Sequence, residues 1–228
     1  MRRTLNVIRL QLINRQTFIW VPLIILGSAV VISVIIYAMI PVDTPKYGGG
    51  GQAPLWYFFG IGIGAMTYTF PFSQAMSVTR RDFFLGTLAT AVLGSALLGL
   101  VFLLGAAIEI ATKGYGVNGY VFHLPWVWEG GPAGAFVVFF ALALLLFVLG
   151  FTGATIYKSW GPVVLTIVAV GLALVLLGLI FFVTRLELWL HVGRAIGDLG
   201  ALGLALWGLV AVAVLSVVSF LAFRRTVP

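Results

Sequence analysis

Cysteine is absent from all 228 residues, and charge is scarce: Asp, Glu, Lys and Arg together make up 8% of the chain. Without cysteine there is no disulfide framework, no thiolate metal site and no dithiol redox motif. Soluble domains carry about a quarter of their residues charged, so the second shortage excludes a soluble globular fold. Motifs for chemistry are missing too. No G-x-x-x-x-G-K-[ST] phosphate loop occurs, and the run Gly48 to Gly51 lacks the Lys and hydroxyl that such a loop needs. The chain therefore does not hydrolyse ATP in the P-loop manner. Neither H-E-x-x-H nor G-x-S-x-G is present, which removes the zinc-peptidase helix and the nucleophile elbow.

What remains is apolar. The composition is 62% hydrophobic, mean hydropathy is +1.17, and six long uncharged stretches stand out: Phe18 to Ile40, Leu55 to Val78, Phe84 to Ile108, Ala133 to Ile156, Pro162 to Thr184 and Leu199 to Phe223. As a helix the first reaches about 35 Å, enough to cross a hydrocarbon core of about 30 Å with some tilt. No ionisable residue sits near the middle of a stretch. One there would cost roughly 2.5–3.5 kcal/mol and would mark an ion or proton path, so proton coupling is disfavoured. Pro41, Pro45 and the glycine run break the chain after the first stretch, and Gly130, Gly131 and Pro132 reset it before the fourth. The first apolar run is too long for a signal-peptide core and has no clear A-x-A site, so it stays as a span. The expectation is an all-α polytopic membrane protein forming one domain over 1–228, with an interfacial helix at 1–17, six spans within 18–223 and a cytoplasmic tail at 224–228.

The net charge is +7. Such a balance suits nucleic acid in a soluble protein, but here the basic residues lie at span ends and in short loops, so no nucleic-acid partner is expected. Arg2, Arg3, Arg9, Arg15, Arg80, Arg81, Lys158, Arg224 and Arg225 fall on one side of the six spans, and Lys46, Lys113, Arg185 and Arg194 on the other. Basic loops are retained inside, which places both termini in the cytoplasm. Gly60 and Gly64 form a G-x-x-x-G, and Gly86, Thr90 and Gly94 continue a row of small residues, a spacing that lets helices approach closely.

Four segments are candidates for function. The N-terminal stretch sets Leu5, Ile8 and Leu12 at helical spacing beside Arg2, Arg3, Arg9 and Arg15; it reads as an interfacial helix or as a basic tail that sets topology. The short connection between the second and third spans holds Thr79, Arg80, Arg81, Asp82 and Phe83. Either the arginines only obey the charge rule while Thr79 or Asp82 caps the next helix, or the turn is a rigid contact for a cytoplasmic partner. Thr67, Thr69, Ser73 and Gln74 accompany Pro71 on the second span, lining a path for an amphipathic substrate or bonding neighbouring helices. Glu187, His191, Arg194 and Asp198 fall at i, i+4, i+7 and i+11 between the fifth and sixth spans. They form the polar side of a short amphipathic helix, and Gly193 and Gly197 permit a bend into the outer leaflet. Glu187 and His191 make an incomplete ligand set, so no metal is expected. The outer loop from Thr112 to Pro132 is rich in aromatics; its His123 and Glu129 form no catalytic constellation.

Arg9 to Phe18, the turn region Thr67 to Thr87, Gly116-Val117-Asn118-Gly119 through Phe122-His123-Leu124-Pro125-Trp126, and Tyr157-Lys158-Ser159-Trp160-Gly161 together resemble the short permease subunits of ABC-2 type exporters, particularly those of actinobacteria. The resemblance spans almost the whole chain, with motifs looser than a phosphate loop. It implies an interfacial helix before six spans, a coupling turn at Thr79 to Phe83 that receives a separate ATPase, and a re-entrant outer segment at Leu186 to Asp198. It also implies two copies of a cytoplasmic ABC ATPase carrying ATP and magnesium, a second permease copy or a homologous one, contact with membrane lipid, and residence in a bacterial plasma membrane. The chain itself would be no enzyme and would bind no cofactor. Two rivals are a membrane scaffold or anchor, and a lipid-acting enzyme that needs Glu109, His123, Glu129, Glu187 and His191 to converge.

Overall fold

The structure is a computed structural model, and it describes Val7, Ile8, Gln11 and residues 16–223. Arg2, Arg3, Arg9 and Arg15 of the expected interfacial helix, and the tail from Arg224, lie outside the described residues. Helix makes up 86% of the molecule, as expected of a chain that must satisfy its backbone internally in lipid. After a π turn at Gln16–Trp20 come α1 (Val21–Met39), the two-residue strand β1 (Lys46–Tyr47), α2 (Gln52–Gly64), α3 (Phe70–Ala75), α4 (Arg80–Ala111), β2 (Gly119–Tyr120), the short α5 (Pro125–Trp128), α6 (Gly131–Arg185) and α7 (Trp189–Phe223).

Four of these are long and apolar enough to cross a membrane: α1, α4, α6 and α7. The expected second span is helical, but a π turn at Ala65–Thr69 joins α2 to α3. Pro71 explains it. Proline has no N–H to give the carbonyl four residues back, and the wider turn answers with an amide bond from Phe70 to the Ala65 carbonyl. The expected fourth and fifth spans follow each other without an intervening loop, as the two halves of α6 that meet at a kink. Its 55 residues would run about 80 Å if straight, over twice the thickness of a hydrocarbon core. Gly161 divides it, with φ 82° and ψ 178°, a geometry only glycine adopts without strain, and Pro162 follows. Gly200 repeats that geometry in α7, with φ 62° and ψ 179°.

The core lies among α2, α4, the first half of α6 and the second half of α7. Burial in α6 stops at Thr155; from Pro162 onward the helix is exposed almost throughout. The close helix crossing is not where the G-x-x-x-G points. A β-carbon on Gly60 would meet nothing, and one on Gly64 only the ring of Tyr68. Gly62 is the residue that touches: a β-carbon there would strike the Phe147 carbonyl, while one on Gly150 would strike the Phe59 carbonyl. In Gly60-x-Gly62-x-Gly64 only the outer pair has the G-x-x-x-G spacing, yet tertiary packing uses the middle glycine.

Candidate functional site

The turn between α3 and α4 is built from local bonds. The last turn of α3 is closed by the Val78 amide on the Ser73 carbonyl at 3.1 Å and by Gln74 Nε2 donating to the Val78 carbonyl at 3.0 Å. Ser77 takes the left-handed conformation, φ 56°, which reverses the chain. Thr79 is extended and is the N-cap of α4: its Oγ1 accepts from the Asp82 amide at 3.2 Å and donates to Asp82 Oδ2 at 2.7 Å. Both residues proposed for capping thus take part, in one reciprocal arrangement.

Beneath the turn lies a phenylalanine cluster. Phe83 is fully buried, 5.3 Å between ring centroids from Phe70 and 6.0 Å from Phe223. Phe70 and Phe223 meet edge-on at 4.8 Å. Phe84 continues the cluster to Phe151 at 6.0 Å and to Phe220 at 5.1 Å. Four helices, α3, α4, α6 and α7, therefore converge under one turn, and each well-placed ring pair adds about 0.5–1.5 kcal/mol beyond its burial. Lys158 Nζ stands 6.0 Å from the Phe70 ring centre, Ser159 Oγ donates to the Ala222 carbonyl at 3.3 Å, and Ser219 reaches Thr155 at 3.5 Å. Of the five residues expected to couple, Phe83 is the buried anchor, while Thr79 and Arg81 are exposed and Arg80 and Asp82 half-buried.

The other expected groups do not gather. Thr67 is exposed and bonds its own helix at the Ile63 carbonyl; Thr69 is half-buried; Ser73 is fully buried on the Phe70 carbonyl; Gln74 serves the turn. Glu187, His191, Arg194 and Asp198 are all exposed. Glu187 has a positive φ of 53° at the bend before α7, and the other three ride on the stretch of α7 that ends at Gly200. Among the described residues no three His, Cys, Asp or Glu side chains cluster to hold a metal ion.

At the opposite end of the bundle a second arrangement went unread in the sequence. Glu109, in the last turn of α4, is fully buried. Its Oε1 accepts from the Val121 amide at 2.8 Å, and its Oε2 from the amides of Phe122 at 3.0 Å and His123 at 2.8 Å. Burial pushes the Tyr115 hydroxyl up to about 12, reinforced by the negative charge of Glu109 and by a hydrogen bond to it. Around this carboxylate a cap is fastened to α1. β1 and β2 pair in parallel, Lys46 Nζ donates to the carbonyls of Tyr37 at 3.0 Å and Val117 at 3.2 Å, and Asn118 Nδ2 donates to the Asp43 carbonyl at 3.1 Å. Gly119 and Gly48 leave room for the ring and hydroxyl of Tyr37. His123 packs against Trp128 at 4.9 Å, and Glu129 lies beside Gly200. Of the five groups a lipid-acting enzyme would need, Glu109 is occupied by backbone amides, and Glu187 and His191 are exposed, the first just before α7 and the second in its first turn. The only sequence signal for the cap was a carboxylate placed just past an apolar span and ahead of Asn118-Gly119.

Fold and site together are those of an all-α membrane protein whose two ends are differently built. No family model matches the chain, and no curated protein or solved structure matches it significantly.

Proposed function

We propose that this chain is the membrane-spanning permease subunit of an ATP-binding cassette exporter, forming with a second permease the path for an amphipathic, drug-like or lipid-like substrate, and driven by two copies of a separate ATPase that hold ATP and magnesium. The observation that carries the reading is the seating of the turn Thr79 to Phe83: a capped, charged loop resting on phenylalanines from four helices. A push on such a loop moves α4, α6 and α7 together, which is what coupling to an external motor requires. The sequence resemblance points the same way. In this reading the chain makes six crossings, namely α1, α2 with α3, α4, the two halves of α6 on either side of Gly161, and α7 after Gly200, with both termini in the cytoplasm of a bacterial plasma membrane. The exposed length of α6 after Pro162 suits a surface that meets a second permease. The segment before Gly200 suits an amphipathic element in the outer leaflet.

The test is purification in mild detergent followed by transport in vesicles. An ABC ATPase should co-purify, and replacing Arg80, Arg81 and Asp82 by Ala should leave the protein in the membrane while separating ATP hydrolysis from export. Absence of any ATPase from the purified assembly favours the scaffold or anchor instead, and full export by the triple variant removes the coupling role.

A further inference from the structure

A groove of about 320 Å³ opens sideways between the first turns of α4 and the last turns of α7, lined by Arg81, Phe84, Leu85, Ser216, Val217 and Phe220. Its walls are apolar along the helices, and among the described residues its one charged lining group is Arg81. The outer wall is open: Leu85 is 42% and Val217 60% exposed. In a membrane this space must be filled. Apolar walls open to the bilayer suit a hydrocarbon chain.

The charges at this end select the head that goes with the chain. Arg80, Arg81 and Lys158 are the described cations here, and the described carboxylate, Asp82, is turned into the helix cap by the Thr79 hydroxyl at 2.7 Å. A zwitterionic head brings its own cation into this field; an anionic head brings none. Arginine also matches phosphate oxygens with paired donors. We infer that the groove is a binding site for one anionic phospholipid, with an acyl chain along Leu85, Val217 and Phe220 and the phosphate on Arg81. This holds whether or not the chain is an exporter subunit, because it needs only a bilayer.

Native mass spectrometry of the full-length protein in mild detergent, titrated separately with phosphatidylglycerol and phosphatidylcholine, tests it. The first phosphatidylglycerol should bind at least about fivefold more tightly, the factor that about 1 kcal/mol per basic side chain at an anionic surface provides. Arg81→Ala should bring that affinity down to the phosphatidylcholine level, Arg81→Lys should keep most of it, and Val217→Trp, which fills the groove and leaves the charge, should weaken both lipids. Equal affinity for the two lipids, or a preference that survives both Arg81→Ala and Val217→Trp, overturns the site. Should the variants fold poorly, phosphatidylglycerol with a photoreactive acyl chain decides on the unaltered protein: labels on Leu85, Val217 or Phe220 support the site, and labels confined to other helices refute it.

Discussion

At the scale of single residues, Glu109 governs more structure than any other charged side chain described. Three amides and the Tyr115 hydroxyl use up about the four acceptor positions a carboxylate has. Ala at this position would leave the amides of Val121, Phe122 and His123 without an acceptor, on the order of 1–3 kcal/mol for each that stays buried. Gln restores little, because its NH2 faces amide donors. We therefore expect both variants to unfold earlier in denaturant and to lose protection of those three amides in hydrogen exchange; amides as slow as in the parent would refute the role. Tyr115 supplies an independent readout. Its folded-state value is raised above the usual 10, so its proton stabilises the cap fully below pH 10, and that contribution is lost as pH rises towards 12. Glu109→Gln removes the charge contribution, so Tyr115 should ionise at lower pH, followed by tyrosinate absorbance. The sequence hid this role because burial of a lone acid cannot be read without knowing which backbone folds over it.

At the scale of elements, most helices were legible and their joints were not. Uncharged runs bounded by Pro and Gly located the helical segments within a few residues, because hydropathy and chain-breaking residues are local properties. Thr79 as a cap was equally local. Which glycine sits at a crossing is a property of two helices, and there the spacing rule named Gly60 and Gly64 where Gly62 and Gly150 do the packing. The difference is measurable. Gly62→Ala forces a methyl against the Phe147 carbonyl and should destabilise by about 1–3 kcal/mol, whereas Gly60→Ala meets open space and should be neutral or gain up to about 1 kcal/mol of helix propensity. Detergent-denaturation midpoints that rank the two in reverse would disprove the crossing. The long α6 is a related lesson: two apolar runs separated by Tyr157-Lys158-Ser159-Trp160 looked like helices with a loop, but Gly161 alone carries the break, and the polar tetrad stays helical.

At the scale of the whole molecule, charge and fold agree on a polarity. Arg80, Arg81 and Lys158 gather at the phenylalanine end, while Lys46, Glu109 and Glu129 belong to the cap. If the cap faces outward, as the count of basic residues predicts, single cysteines at Gly49 and Tyr157 in this cysteine-free chain will react oppositely with an impermeant thiol reagent in intact cells, the first strongly and the second weakly. Gly49 accepts a side chain readily, its nearest neighbour being the end of Gln52, and Tyr157 is half exposed. Equal labelling would reverse or dissolve the assigned orientation. Counting basic residues supplied an expected orientation; the cap could not be read, since its partners come from segments with no pattern in common.

The ties that close the cap join distant parts of the chain: Lys46 to Val117, Asn118 to Asp43, and Tyr37 to Tyr120, with sequence separations of 71, 75 and 83 residues. None of the three can form until α2, α3 and α4 have been made. Loop closure over such lengths costs entropy before any bond rewards it, and until then the Glu109 carboxylate waits at the membrane edge without its amides. The cap is thus a clasp that can shut only once the chain from α1 through β2 has been made.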